Sequence, residues 1–182
     1  MNLPAGLLPS DRNIEIFADP SQFGKCLFVQ HGHTRAFYEL PGTIIPSLYK
    51  ECFSNKKAVK AMREMGINEI DMVEHYNYCN RGRLDSTPDI STTGKLTTEF
   101  VDCGRHGTCK GEGLVCNLMG LTFRELQCLR LNNNGKDYSQ IKKEMGFKSQ
   151  TAVNSLMSRL RDKLNAKDRT QLLMNSYKIG IL

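Results

Sequence analysis

The sequence predicts an α+β protein, with an N-terminal mixed α/β domain over residues 1–118 and an all-α domain over residues 119–182. Three observations support this division. Short apolar runs between residues 13 and 40 are typical of strands. Residues 103–117 are rich in glycine and cysteine and offer few side chains for a core. After Gly120, capping residues and apolar spacing indicate several helices.

The first elements are predicted to be short strands. Ile14 and Ile16 alternate with polar neighbours, and apolar runs at residues 26–29 and 37–40 flank a polar turn at residues 32–35. Alternation and paired runs about a glycine-containing turn are typical of a hairpin. The sequence therefore predicts a small antiparallel sheet near the N-terminus.

Two helices and two further strands are predicted next. Pro46 suits the first turn of a helix that runs through Phe53, and Ser54 is a favourable N-cap for a second helix that ends at Gly66. Residues 70–78 and 96–101 are predicted as strands on either side of a polar loop at residues 80–94.

The cysteines between residues 79 and 116 indicate a metal site. Five residues separate Cys103 from Cys109, six separate Cys109 from Cys116, and 23 separate Cys79 from Cys103. Four thiolates suffice for tetrahedral zinc, and the glycine-rich stretch needs an organiser because it buries little apolar surface. An iron–sulfur cluster, free thiols or an oxidisable pair are the alternatives, and His75 or His106 can replace one cysteine. Cys26, Cys52 and Cys128 lie in apolar settings and are predicted to be core residues.

The positive charge of the chain is concentrated in its last third. Residues 119–182 contain 12 Lys and Arg against 5 Asp and Glu, whereas residues 1–118 contain 13 against 14. A basic domain that follows a near-neutral one indicates a polyanionic partner for the basic part.

The spacing in this basic part predicts a helix-turn-helix. Thr122 and Glu125 form a capping box, a short helix is predicted over residues 138–145, and Gly146 forms the turn. Ser149 then caps a longer helix to about Leu164, and a last helix follows Asp168. A short helix, a glycine turn and a longer helix are the parts of a motif that places its second helix in the major groove of DNA.

The residues predicted to contact DNA fall into two groups. The outward positions of the longer helix are polar and include side chains able to bond base edges: Gln150, Thr151, Asn154, Ser155, Ser158 and Arg159. Cationic side chains suited to phosphates surround them: Lys136, Lys142, Lys148 and Arg161, with Arg169 in the last helix. The helix N-termini at Ser139 and Ser149 offer backbone N–H groups to phosphates as well.

These residues resemble the C-terminal domain of LuxR/GerE-type regulators. The resemblance runs from Leu121-Thr122 through Gly135, Ile141 and Val153 to Arg169, in order and nearly in spacing. One residue is extra between Ile141 and Ser149, and the turn at residues 145–149 is more similar to the DNA-binding region of sigma factors. Ala152 and Leu156 stand where the family usually has Thr and often has His.

The resemblance implies a DNA-binding regulator of transcription with an N-terminal sensing or oligomerising domain. The implied partners are double-stranded DNA and RNA polymerase, and half-site geometry implies a homodimer. Leu172, Leu173 and Tyr177 are candidate contacts of the homodimer, and the alternative is that they are core residues. The alternative is a protein-interaction adaptor or sigma-like factor that docks on the transcription machinery. The sequence lacks a catalytic motif, a membrane-spanning run and a signal peptide, so we expect a non-enzymatic, cytoplasmic protein.

Overall fold

The structure of the protein, a computed structural model, describes residues 3–182. It divides into two compact units, Met1–Asn117 and Leu118–Leu182. The first contains a three-stranded antiparallel sheet with helices, and the second is entirely helical among its described residues. No helix in the described part of the chain has the length and apolar composition needed to cross a membrane.

The sheet has the strand order β1 (Glu15–Ala18), β2 (Cys26–Gln30) and β3 (His33–Ala36). The hairpin is present, but its second strand begins earlier than predicted, and residues 37–39 form a short 3₁₀ helix. His31 and Gly32 both have positive φ angles, of 54° and 77°, which is the geometry of a two-residue hairpin turn. Such a tight turn lets the strands pair immediately on either side of it.

Three helices complete the N-terminal unit: α1 (Ile45–Ser54), α2 (Lys56–Glu64) and α3 (Glu69–Asn80). Pro46 lies in the first turn of α1, as predicted. The predicted cap of α2 is wrong by one residue, because the Asn55 side chain, and not that of Ser54, accepts a hydrogen bond from the Ala58 backbone N–H at 3.1 Å.

The prediction of a strand at residues 70–78 is wrong, since these residues lie in α3. The helix is buried on several sides, so its apolar residues do not follow a one-sided helical spacing. Two of its buried amides donate to carbonyls of the same helix: Asn77 donates to the Val73 carbonyl and Asn80 to the Tyr76 carbonyl, both at 2.8 Å. A strand is also wrong at residues 96–101, where Leu96 makes only an isolated bridge to Ile90.

The C-terminal unit consists of α4 (Phe123–Asn133), α5 (Tyr138–Glu144), α6 (Gln150–Lys163) and α7 (Arg169–Lys178). Each helix begins at a side chain that accepts a hydrogen bond from a backbone N–H of the first turn, as a good N-cap does. These caps are Thr122, Asp137, Ser149 and Asp168. Fully buried apolar side chains from the four helices form one core: Leu126, Leu129, Ile141, Val153, Leu160 and Leu172.

Candidate nucleic-acid interface and cysteine pocket

Helices α5 and α6 form the helix-turn-helix. Helix α6 packs against both α4 and α5. The turn between α5 and α6 contains Gly146, whose φ of +67° is a left-handed conformation that glycine adopts without strain. The buried side of α6 carries Val153, Leu156, Met157 and Leu160. The motif is therefore held by apolar packing along one side of α6, which leaves the other side available.

That other side of α6 is polar and exposed. It carries all six side chains predicted to face base edges: Gln150, Thr151, Asn154, Ser155, Ser158 and Arg159. Arg159 is 62% exposed although its Nε lies 3.8 Å from Glu125 Oε1, so its guanidinium stays at the surface. The base contacts of these side chains remain predictions.

The cations predicted to meet phosphates differ in their surroundings. Lys148 is exposed, Lys142 and Arg161 are half-buried, and Lys136 Nζ lies 3.0 Å from Glu144 in an ion pair. Lys143, which was not among the predicted contacts, is exposed and lines a shallow surface pocket with Ser139, Gln140 and Lys142. Its signal was the pair of adjacent lysines in the last turn of α5.

Two other predicted phosphate contacts also remain predictions. Helix α5 begins at Tyr138, one residue before Ser139, and its N-cap is Asp137, whose carboxylate accepts from the Gln140 N–H at 2.8 Å. Arg169 is exposed, and its guanidinium donates to the Asn132 carbonyl at 2.8 Å. Asp137 and Arg169 therefore both bond backbone groups of the helical unit.

Glu125 joins α4 to α6, a role that the sequence did not reveal. It is 2% exposed, and its Oε2 accepts from the Thr122 backbone N–H at 2.7 Å and from Lys163 Nζ at 2.7 Å. Burial acts to raise the pKa of Glu125, but the hydrogen bonds from Lys163 and Thr122 outweigh it and the pKa is lowered. Only the capping half of this arrangement can be recognised from a short sequence spacing.

Helix α7 presents an exposed apolar side. Leu172 is fully buried, which agrees with the alternative that it is a core residue and not a contact with a second copy of the chain. Tyr177 and Met174 are 55% and 54% exposed, and the Tyr177 hydroxyl donates to Asn133 Oδ1 at 3.0 Å. Residues three apart lie on the same side of a helix, so these two form one surface.

The four cysteines of the predicted metal site line a single pocket in the N-terminal unit. They come from the end of α3 and from the loop after residue 101, which has no helix or strand up to the end of the unit. The other lining residues are both polar and apolar: Phe23, Met65, His75, Val101, His106, Gly111, Glu112 and Val115. We call this the cysteine pocket. Cys26, Cys52 and Cys128 lie elsewhere in the core, as predicted.

The cysteine pocket does not present a finished ligand set. Among residues 3–182, no three Cys, His, Asp or Glu side chains stand close enough together to hold one metal ion. Burial raises the pKa of the Cys79 thiol, and the neighbouring Cys116, Cys103 and Cys109 raise it further. Burial also raises the pKa of the Cys116 thiol, while a hydrogen bond from the Gly113 N–H lowers it. The predicted zinc and the iron–sulfur alternative therefore both remain predictions.

The two histidines at this pocket differ in their bonding. His106 Nδ1 lies 3.0 Å from Glu112 and its Nε2 lies 3.2 Å from the Val101 carbonyl, so both ring nitrogens are engaged. His75 is 6% exposed, and its Nε2 has no hydrogen-bond partner among the described residues. His75 thus differs from His106 in having a ring nitrogen without a partner among the described residues.

A second buried polar cluster joins β1 to the loop that follows α3. Glu15 accepts from the Asp85 N–H at 2.8 Å, and Asp89 accepts from the Ile16 N–H at 2.8 Å. Burial raises the pKa of Glu15 to about 8 and, with the Glu15 charge, raises the pKa of Asp89 to about 10. These carboxyl groups bond the backbone of the unit, so the geometry assigns them to the fold.

Comparison with known proteins identifies the helical unit. Residues 119–175 match the family model of bacterial regulatory proteins, luxR family. Comparisons with the curated proteins and with the solved structures gave no match. Proteins of this family are DNA-binding transcriptional regulators, and they are typically not enzymes. Residues 119–175 are therefore a LuxR/GerE-family helix-turn-helix domain at the C-terminal end of the chain.

Proposed function

We propose that this protein is a sequence-specific regulator of transcription that reads duplex DNA through the exposed side of α6. The observation that carries the proposal is the polar face from Gln150 to Arg159, on a helix whose opposite side is fully packed. A helix fixed in this way can enter the major groove as a rigid body, and its side chains then meet the base edges.

The chemistry of this face suits direct readout. Gln150 and Asn154 each carry an amide that can donate to and accept from adenine, and Arg159 can donate twice to guanine. Thr151 has a methyl group that can contact the methyl of thymine. Because Ala152, which is half-buried in the first turn of α6, departs from the family pattern, the preferred site is expected to differ from those of typical family members.

Cations at the edge of the same face supply the contacts that do not depend on sequence. Lys142 and Lys143 in α5, with Lys148 in the turn, lie on the N-terminal side of α6, and Arg161 lies near its C-terminal end. Contacts of this kind bind phosphates and fix the register of the protein on the duplex.

The regulator is proposed to bind DNA as a homodimer, since two half-sites require two copies of the motif. The exposed Met174 and Tyr177 side of α7 supports this part of the proposal. The N-terminal unit would then supply sensing or oligomerisation, and contact with RNA polymerase would link binding to transcription.

The test is selection of bound duplexes from a random library, followed by affinity measurements on single variants of the full chain. We expect Asn154→Ala to reduce the discrimination between the selected and a mismatched duplex by about 1–3 kcal/mol. Lys148→Ala should weaken all duplexes alike and lower the salt dependence by about one phosphate contact. Lys60→Ala, an 80% exposed lysine of α2, is the matched control and should change neither property.

The competing function is a protein-interaction adaptor that uses the helical unit to dock on the transcription machinery. It predicts that the purified chain binds no duplex even at low salt. That result would overturn the proposal, as would selection that enriches no sequence.

A further inference from the structure

We propose that the cysteine pocket binds one Zn²⁺ through the thiolates of Cys79, Cys103, Cys109 and Cys116. The metal would fasten the loop of residues 101–117 to the end of α3. This inference concerns the N-terminal unit and is independent of the DNA-binding function proposed above.

The fold brings together cysteines that are far apart in the chain. Cys79 lies near the end of α3, and the other three cysteines lie on a loop that returns to it. The loop is anchored beside this point, because Asn80 donates to the Val115 carbonyl at 2.8 Å and accepts from the Asn117 N–H at 2.9 Å. The four thiols therefore share one pocket through tertiary structure.

The loop is held by several hydrogen bonds but has a very small apolar core. Of residues 103–117, only Gly111 and Val115 are buried, and the whole stretch contains no helix or strand. Ordering one residue costs about 1–2 kcal/mol, so a stretch with so small a core needs another source of stability. All seven cysteines are free thiols, so a disulfide does not supply it. A structural zinc site contributes its binding free energy directly to folding.

The pocket also offers hydrogen bonds of the kind that stabilise bound thiolates. The Gly111 N–H donates to Cys109 Sγ and the Gly113 N–H donates to Cys116 Sγ, each at 3.4 Å. His75 adds a buried Nε2 without a partner among the described residues. Donors of this kind are the outer shell that orients metal ligands.

The interior of the pocket is small, at about 10 Å³, and no three of its ligand side chains stand close enough together to hold an ion among the described residues. The loop must therefore move when an ion binds. Tetrahedral zinc requires only that each sulfur approach to about 2.3 Å from the metal. The glycines of the loop permit this movement, since Gly104 and Gly113 have φ angles of 70° and 68° and carry no side chain to obstruct it.

The experiment is elemental analysis of the full chain purified under reducing conditions, followed by competition for Zn²⁺ with a colorimetric chelator. We expect about one zinc per chain and no visible chromophore. Cys103→Ser should weaken zinc binding by at least about tenfold, whereas Cys128→Ser, at a buried thiol of the other unit, should leave it unchanged. Co²⁺ in place of zinc should give the visible spectrum of a tetrahedral thiolate site.

A second variant keeps the test decisive if Cys103→Ser misfolds. His75→Phe retains a ring against Phe23 and Tyr78 but removes the Nε2 donor, and it should also weaken zinc binding by about tenfold. A chain that takes up no zinc from a buffered excess would overturn the proposal. So would a coloured chain that contains iron and sulfide, or Co²⁺ bound octahedrally.

Discussion

Removal of the Glu125 carboxylate is predicted to loosen the junction between α4 and α6. The side chain is buried and closes a capping box at the start of α4, while it also binds Lys163 of α6. Glu125→Ala removes all of these bonds at once. The lysine retains only its bond to the Gly120 carbonyl, at 2.8 Å.

The size of this effect follows from the contacts. A hydrogen bond to a charged group contributes about 1.5–3 kcal/mol, and loss of an N-cap interaction costs about 1 kcal/mol. Lys163 is 37% exposed and regains water when its partner is removed, so the total should stay near about 3 kcal/mol rather than reach the higher cost of a fully buried pair. We therefore expect the free energy of local opening of α4 and α6 to fall by this amount.

Hydrogen exchange measured on the full chain provides the assay, because it reports opening of the two helices separately from the N-terminal unit. A loss of about 3 kcal/mol corresponds to a fall in protection of about a hundredfold. Glu144→Ala is the matched control, since its ion pair with Lys136 lies on the surface and should contribute less than about 1 kcal/mol. Equal protection in the two variants would refute the reasoning.

The same carboxylate predicts a pH dependence of the helical unit. Since the pKa of Glu125 is lowered in the folded state, its contribution is present above the ordinary carboxyl pKa and is lost as the pH falls through the lowered value. Two further predictions concern the N-terminal unit. Gly6→Ala should destabilise it by more than about 1 kcal/mol, because Gly6 has a φ of +72° and an added Cβ would lie 2.4 Å from the Val29 backbone oxygen. Gly42→Ala is the control and should be nearly neutral, because a Cβ there would lie in open space. Equal urea midpoints for the two variants would contradict this prediction. Because the pKa of Asp89 is raised in the folded state, the unit should lose stability as the pH rises above about 4. At pH 8, urea unfolding should therefore show that Asp89→Asn is more stable than the parent. A less stable variant would refute this.

The helical unit was predictable because its signals are local. Thr122 with Glu125, Ser149 and Asp168 act within one helical turn of their own positions, and Gly146 marks the turn by itself. Apolar spacing then determines which side of each helix is packed. The polar side of α6 follows directly from this spacing, whereas the ion pair of Glu125 with Lys163 joins residues 38 positions apart and has no local signal.

The N-terminal unit was less predictable because its longest helix, α3, is not amphipathic in a simple way. Helix α3 is buried on several sides and contains buried polar residues that bond within the helix, such as Asn77. The remaining buried residues of α3 include the β-branched and aromatic side chains that are typical of strands. The four cysteines were identified as a group from their glycine-rich context. The burial of the His75 Nε2 and the position of Phe23 beside the pocket depend on tertiary contacts and have no local signal.

The two units carry separate inferences that can fail separately. DNA binding depends on the exposed side of α6, and zinc binding depends on the cysteine pocket. A Cys103→Ser chain that loses zinc and retains DNA binding would support both and would indicate that the metal organises only the N-terminal unit. A chain that loses both would indicate that the metal-bound unit supports the DNA-binding state, for example through the homodimer.

The most direct test of the central claim is the ratio of dissociation constants for a selected duplex and its scrambled sequence, measured by fluorescence anisotropy at physiological salt. For a sequence-specific regulator we expect the selected duplex to bind at least about 10³-fold more tightly. The affinity for both duplexes should fall steeply as salt is raised. Equal affinity for the two duplexes, or no binding to either at low salt, would contradict the proposal that α6 reads DNA sequence.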